Sequence, residues 1–328
     1  MKFKFDSFVV GLVIAIIVAY IYPDLALVEG TFSLDHITTV GVSLIFFFYG
    51  LKLSFTEIKT GLSNWKLHIL VHTSTFVLFP LLVLLFYPFI KTDVQHDFWM
   101  SFFFLAALPS TVSSSVVMVS IARGNMPAAI FNSSISGIMG VLITPMWMGL
   151  FLTIKSDFDF GHVYLSLFLE IILPVILGIC LQPVLGKWAH KYSRQLSKMD
   201  KLTILLIVYT SFADSFLEHI FDSVDVWYFV AVFTGVIVLF FVVYGIIWYL
   251  SRRVFHFSIA DEITAIFCGS KKSLTHGSVF AKIIFGHTAT GYGLVFFPLM
   301  IFHAFQILVA SIIAQRYAAR TDANQDSY

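Results

Sequence analysis

The sequence predicts an all-α integral membrane protein of ten transmembrane helices in two inverted five-helix repeats, and three observations predict it. The 328 residues are 59% apolar and 17% aromatic but only 12% charged, where an ordinary soluble chain is roughly 25% charged. The apolar residues gather into ten runs joined by short connections, and a helix needs about 20 mostly apolar residues to cross roughly 30 Å of hydrocarbon. The cationic residues collect on alternate loops. A water-soluble domain is excluded, and the formal net charge of +1 gives no pull towards nucleic acid or another polyanion.

Taken in order, the first run, Phe8–Tyr22, follows Met1-Lys2-Phe3-Lys4. That start has the look of a signal peptide, but no small-x-small cleavage site precedes Pro23, so it reads as the first span. The second run, Ile37–Leu53, ends on Tyr49, Gly50 and Lys52, ordinary interface anchors. The third, Leu67–Phe89, carries His68 and His72 on one face; a metal there lacks further ligands, and interface anchoring is the expected role. The fourth, Phe98–Ile121, contains Leu108-Pro109-Ser110-Thr111-Val112-Ser113-Ser114-Ser115 about midway. The fifth, Met126–Leu152, contains Asn132-Ser133-Ser134-Ile135-Ser136-Gly137 and Thr144-Pro145. The sixth, His162–Leu185, and seventh, Leu202–Phe216, hold the intramembrane acids Glu170 and Asp214. After the eighth, Trp227–Leu250, the ninth, Asp261–Phe285, carries Gly269-Ser270-Lys271-Lys272-Ser273-Leu274-Thr275-His276-Gly277-Ser278 at its midpoint. The tenth is Gly293–Ala314.

Orientation follows from the cations, because positively charged short loops stay in the cytoplasm. One side collects Lys2, Lys4, Lys52, Lys59, Lys66, Arg123, Lys187, Lys191, Arg194, Lys198, Lys201, Arg252, Arg253, Arg316 and Arg320, which is 15 of the 20 Lys and Arg. The other side has only Lys91 and Lys155, with the acids Asp24, Glu29, Asp35, Asp93, Asp97, Asp157, Asp159, Glu218, Asp222 and Asp225. Both termini are therefore expected in the cytoplasm of a multi-pass plasma membrane protein, or of a bacterial inner membrane protein if the source is bacterial. Cys180 and Cys268 sit inside apolar runs, which suits neither a disulfide framework nor a zinc site.

Five spans per half is an odd number, so a second copy of the first half enters the membrane upside down, as is common in secondary transporters. Corresponding spans are offset by roughly 155 to 165 positions, which divides the chain into repeats at residues 1–155 and 156–328. Within that scheme the fourth and ninth spans are abnormal. Proline removes a backbone donor, and glycine and serine loosen the helical ladder, so both spans are candidates for interruption. Backbone freed in this way must line a cavity or pack against protein. Paired broken segments point to a transporter's binding site; the alternative is a pair of kinked packing helices.

Magnitudes sharpen the choice. Each Lys at bilayer centre costs about 2.5–3.5 kcal/mol, so Lys271 and Lys272 together cost roughly 5–7 kcal/mol if unpaired. They must meet water, an acid or an anion, with Glu170 and Asp214 as the intramembrane acids on offer. On a continuous helix Lys272 and His276 share a face. A buried structural ion pair and a charge site in a transport pathway are the two readings. Lys282 is expected to snorkel. Asn132, Ser133 and Ser136 supply neutral oxygens suited to a cation, or small groups for helix packing. Ser115 has no His or Lys beside it in sequence, and His-Glu-x-x-His is absent, so an intramembrane enzyme is set aside.

These residues carry a resemblance. Pro109 to Pro145, with Pro-x-x-Val-Ser-Ser-Ser, Ala122-Arg123-Gly124-Asn125 and Ala129-Ile130-Phe131-Asn132-Ser133, resembles the bile acid:sodium symporter superfamily. With Gly269-Ser270-Lys271-Lys272-Ser273-Leu274 it resembles more closely the divergent SBF-like branch, which includes uncharacterised bacterial transporters and a vertebrate member linked to calcium handling. The resemblance implies a panel domain from helices 1, 2, 6 and 7 and a core domain from helices 3–5 and 8–10, with discontinuous helices 4 and 9 crossing near the midplane. It also implies amphipathic or organic anion substrates, coupled in the wider family to sodium.

The family's cation sites draw on a Ser-Asn pair on the fourth helix, a Ser or Thr on the fifth, and a Glu with a following Gln on the ninth. Here Ser115 and Ser133 keep hydroxyls as a remnant, the Asn position falls on Val116, the acidic position near Phe267 or Cys268, and the Gln position near Lys271. A fixed ammonium about 4 Å from a sodium ion repels it by roughly 4 kcal/mol at an effective dielectric of 20. Lys271 or Lys272 can thus stand in for sodium.

The expected protein is an alternating-access carrier of an organic anion that is not classically sodium-coupled: a lysine that loses its proton when desolvated would couple it to protons, and otherwise it is uncoupled or an exchanger. Sodium or a proton is the coupling ion considered, and no cofactor is expected. The substrate or coupling set is Lys271, Lys272, His276, Ser270, Ser273, Thr275, Pro109, Ser113, Ser114, Ser115, Asn132, Ser133 and Ser136. Lys272→Met is expected to abolish transport while sparing the fold. A sodium-dependent bile acid or organic anion symporter is the alternative within transport, and a non-transporting regulator or receptor is the alternative outside it. The partners expected are the anion and the bilayer, with no nucleic acid; a homodimer is left open.

Overall fold

The computed structural model describes residues 7–27, 33–53, 64–152, 160–217, 219, 225–285 and 292–325. Of the charges used to orient the chain, Lys2, Lys4, Glu29, Lys59, Lys155, Asp157, Asp159, Glu218 and Asp222 lie outside the described residues. Among the described residues the regular structure is all helical: α1 (Ser7–Ile21), α2 (Leu34–Lys52), α3 (Trp65–Thr73), α4 (Phe79–Leu84), α5 (Asp93–Ala107), α6 (Ser113–Ile121), α7 (Met126–Leu152), α8 (Phe160–Leu167), α9 (Leu173–Lys191), α10 (Ser193–Leu217), α11 (Val226–Tyr249), α12 (Ile259–Gly269), α13 (Leu274–Phe285) and α14 (Tyr292–Gln325). Wide π-turns at Ser74–Leu78 and Phe168–Ile172 join α3 to α4 and α8 to α9, and a third at Leu250–Val254 extends α11.

Each of the ten apolar runs falls on helix, with the fourth divided between α5 and α6 and the ninth between α12 and α13. Among the described residues, five helical stretches are long and apolar enough to cross a membrane: Trp65–Phe89, Met126–Leu152, Val163–Lys191, Val226–Val254 and Leu294–Ala319. Helices, which make most of their backbone bonds within the segment, are what hydrocarbon tolerates.

The chain forms two compact units. Unit 1 comprises Met1–Leu53, Leu152–Asp225 and Ser278–Phe296; unit 2 comprises Ser54–Phe151, Val226–Gly277 and Phe297–Tyr328. In unit 1, α2 and α9 touch through glycine. A Cβ at Gly178 would lie 2.2 Å from the Phe47 carbonyl oxygen, and one at Gly50 would lie 2.3 Å from that of Val175. Lys282, expected to snorkel, instead donates to the Thr38 and Thr39 hydroxyls at 2.9 and 2.8 Å, because those two hydroxyls of α2 come within reach of its amine.

α9 turns into α10 at Tyr192 alone, and Leu51, Ala189 and Leu196 close a small apolar cluster beneath the turn. Asp200, near the start of α10 and before its apolar run, has a buried Oδ1 with no hydrogen-bond partner among the described residues. Burial pushes its carboxyl up from 3.8 to about 6, against a smaller opposing pull from Lys52. The folded chain thus holds this proton more tightly than the unfolded chain, so the group adds stability as pH falls from above 6 towards 4. Asp200→Asn is expected to raise the melting temperature at pH 8, by about 1–3 kcal/mol of stability, and to lose that advantage by pH 4. Melts of both proteins at the two pH values check this; the same gap at both would count against it.

Candidate functional site

Unit 2 holds the two interruptions, and its sequence explains why the helices stop. α5 ends at Ala107 because Pro109 has no N–H to give to Leu105 and excludes the α conformation from Leu108, which is extended at φ −70°, ψ 152°. α6 starts only at Ser113. α12 ends at Gly269 and α13 starts at Leu274, which leaves Ser270–Ser273 outside the helices. The two gaps satisfy each other. Ser273 N–H donates to the Pro109 carbonyl at 2.9 Å, and Ser110 Oγ donates to the Cys268 carbonyl at 2.5 Å. Ser110 N–H donates to Ser136 Oγ at 2.9 Å, and Thr144 Oγ1 donates to the Ala107 carbonyl at 2.8 Å.

This leaves the carbonyls of Ala106 and Leu108, and Lys272 takes both. Its Nζ donates to Ala106 O at 2.6 Å, Leu108 O at 2.8 Å and Thr75 O at 2.8 Å. Thr75 O is available for a local reason. In the π-turn, Phe79 N–H bonds to Ser74 O, and the next residue, Pro80, has no N–H. All three ammonium donors are therefore used, with the Phe79 ring centroid 4.1 Å away. Three hydrogen bonds to a charged donor are worth about 1.5–3 kcal/mol each, against about 2.5–3.5 kcal/mol for a lysine at bilayer centre. The cage wins. Gln306 fixes the backbone beside it, accepting from Lys272 N–H at 2.9 Å and donating to Lys272 O at 2.8 Å.

Lys271 is in a different position. It is fully buried too, but its Nζ has one hydrogen-bond partner among the described residues, the Ser114 carbonyl at 2.9 Å, with the Phe267 ring 5.5 Å away. It thus reaches the first turn of α6, where Val112 provides no side-chain cap and the orphan N–H groups favour negative charge. Ser113 is exposed and Ser114 half-buried. Thr111 Oγ1 ties this turn together through Ser114 Oγ at 2.7 Å and Ser115 Oγ at 2.8 Å.

Several sequence expectations need correction. Neither lysine has an acid within 4 Å among the described residues; Glu170 and Asp214 belong to unit 1, and backbone carbonyls of unit 2 take the lysine heads instead. Lys272 and His276 do not share a helical face, because Lys272 precedes α13. His276 Nδ1 instead bonds to Ser273 Oγ at 2.9 Å, and the same hydroxyl accepts from His276 N–H. His68 is no interface anchor, since α3 packs that side against α7. It is buried, with Nδ1 3.1 Å from Asn132 Oδ1.

Asn132 also donates to Ala128 O at 2.8 Å, so its amide is occupied by helix contacts. Ser133 faces the Cys268 sulfur at 3.7 Å while Ser115 bonds to Thr111; the two hydroxyls share no partner among these bonds. Ser270 Oγ bonds back to Ile266 O at 2.7 Å, and Thr275 is half-buried.

The structure adds residues that pattern reading missed. Glu262 is buried and accepts from Arg252 Nε and from Tyr317 OH at 2.6 Å. Asp261 accepts from Asn125 Nδ2 at 2.8 Å, Asn64 Nδ2 at 3.0 Å and Ser258 Oγ at 3.1 Å. The base of α12 is thus pinned from several elements, and its far end carries the lysine loop. Gln306, an amide one turn after His303 in a mostly apolar run, was a visible signal; the Thr75 carbonyl, being backbone, was not.

The chain is similar to known proteins over nearly its whole length. The model of the SBF-like CPA transporter family matches residues 6–319. The uncharacterised protein PA2026 of Pseudomonas aeruginosa is 35% identical over 322 residues, covering 98% of this chain and 95% of its own. The symporter-named YfeH of Escherichia coli (strain K12) is 34% identical over 325 residues, covering 98% and 95%. Sodium/bile acid cotransporter 7 of Danio rerio is 31% identical over 323 residues, covering 94% and 92%.

Proposed function

The chain belongs to the SBF-like CPA transporter family, and from that premise we propose that this multi-pass membrane transporter is a secondary carrier of an organic anion that supplies its own positive charge in place of sodium. The observation that carries the reading is the contrast between the lysines. Lys272 is a resident cation, its three donors spent on carbonyls. Lys271 keeps two donors without a hydrogen-bond partner among the described residues, beside the uncapped turn of α6. A buried donor left unmade costs about 1–3 kcal/mol, and an anionic headgroup bound there relieves it. Lys271, Ser113 and Ser114 are the residues we assign to the substrate's carboxylate, sulfate or phosphate.

The inverted-repeat reading has support in the positions of the two gaps, which begin 162 residues apart at Leu108 and Ser270, inside the offset between corresponding spans. Unit 1 gathers spans 1, 2, 6 and 7, and unit 2 gathers spans 3, 4, 5, 8 and most of 10, which supports a panel and a core. Ser278–Phe296, on the far side of the second gap, groups with unit 1. Full burial of Lys271 means that a ligand must gain entry by rearrangement, as alternating access provides.

The test is flux of a panel of labelled organic anions into proteoliposomes, with and without sodium and pH gradients. Lys271→Gln is expected to lower uptake by about 100-fold, equivalent to two lost charge-assisted hydrogen bonds, with elution profile and melting temperature kept. Uptake at the original rate by that variant would reject the assignment. Sodium-dependent symport is the second reading, favoured by the name of the Danio rerio relative. It requires uptake to rise with sodium, whereas the self-charged carrier shows no such dependence.

A further inference from the structure

The turn between α9 and α10 carries a charge pattern that transport does not use. Lys187 and Lys191 lie one turn apart near the end of α9, and Arg194, Lys198 and Lys201 follow at helical spacing in α10. All five are exposed, while Gly186, Ala189 and Leu196 between them are buried. Asp200 is the single acid between Leu173 and Ala213, and none of the five cations has an acidic partner within 4 Å among the described residues. Five like charges held on so short a hairpin repel one another unless something negative faces them.

What borders this band decides the partner. Val184, 76% exposed, precedes Lys187 by one turn, and Leu202, 58% exposed, follows Lys201 directly. One helical turn rises about 5.4 Å, so exposed apolar surface gives way to cations within the height of a phosphate group. Trp188 and Tyr192, with ring centroids 5.4 Å apart, stand at the same level, where amphipathic rings anchor in headgroups. A soluble anion has use for the cations alone. A phospholipid has use for both layers, and basic clusters at the end of a span recognise anionic lipid.

We propose that the α9–α10 hairpin binds the phosphodiester headgroup of an anionic phospholipid, with its acyl chains against Val184 and Leu202. The site is separate from Lys271 and does not depend on what is carried.

Native mass spectrometry of the full chain, released from detergent containing equal phosphatidylglycerol and phosphatidylcholine, tests this. The protein is expected to retain phosphatidylglycerol about tenfold over phosphatidylcholine. Replacing Lys187, Lys191, Arg194, Lys198 and Lys201 together by Gln should remove the preference without changing the melting temperature, since none of these side chains is in the core. Replacing the four lysines by Arg should keep it. Equal retention of the two lipids by the original protein, or a preference that survives the Gln variant, overturns the proposal. Inorganic phosphate that displaces the lipid at equal concentration also overturns it, because the site would then be one for soluble anions.

Discussion

Lys272→Met is expected to destabilise unit 2 strongly, not merely to silence it, and so to reverse what the sequence suggests. Methionine has nearly the length of lysine and suits hydrocarbon, so a variant that removes a buried charge looks benign on paper. The cage makes it otherwise. The carbonyls of Thr75, Ala106 and Leu108 have Lys272 Nζ as partner, and the helical donors they would otherwise meet are diverted or absent. Each orphaned buried acceptor costs about 1–3 kcal/mol, so the loss is on the order of 3–5 kcal/mol even after some relaxation. Melting in detergent should show a fall on the order of 10 °C and poor recovery from membranes. Lys271→Met, by contrast, leaves one carbonyl behind and should melt close to the original. If the two variants melt alike, the distinction between a caged lysine and an available one is wrong.

Gly178→Val should be the most damaging single change in unit 1. The obstacle at Gly178 is backbone: Phe47 O at 2.2 Å, Leu51 N at 2.9 Å and Gly50 Cα at 3.0 Å from an added Cβ. No rotamer change relieves it, so α2 and α9 must separate. Overpacking that side chains can absorb costs about 1–3 kcal/mol; here the upper end or beyond is expected, and even Gly178→Ala should destabilise. Gly245, where an added Cβ meets nothing within 4 Å, provides the control, since Gly245→Ala in α11 should be neutral or slightly stabilising. Melting temperatures of the three variants check the order.

How much of this was legible beforehand depends on the kind of signal. The helices were, because bilayer-length apolar runs leave few alternatives: the run Met126–Leu152 and α7 have the same bounds. The interruptions were also legible, since Pro109 and Gly269-Ser270 act through the chain's own stereochemistry. The partners were not. Sequence offers Glu170 and Asp214 as counter-charges because acids are visible as letters. The groups that hold Lys272 are carbonyls, which every residue possesses, and they become available only where Pro80 and a π-turn take away the donors for Thr75 O and where the break at Pro109 lets Ser110 N–H turn to Ser136 instead of Ala106 O. His68 misled for a related reason. Its spacing to His72 is a local fact, but its bond to Asn132 joins positions 64 residues apart. Lys271 and Lys272 are neighbours of the same residue type in one loop, and only their reach across the fold separates their roles.

The carbonyl cage has a consequence for how such a protein responds to its surroundings. A mobile ion leaves a site when its concentration drops, and its departure is what ties a transport cycle to a salt gradient. An ammonium joined to the main chain by four methylenes cannot be diluted away, so its binding site stays filled at any external salt. Under the proposed self-charged mechanism, such a protein would give up one lever for harvesting stored ionic energy and gain indifference to the salinity of the medium in which its cell lives.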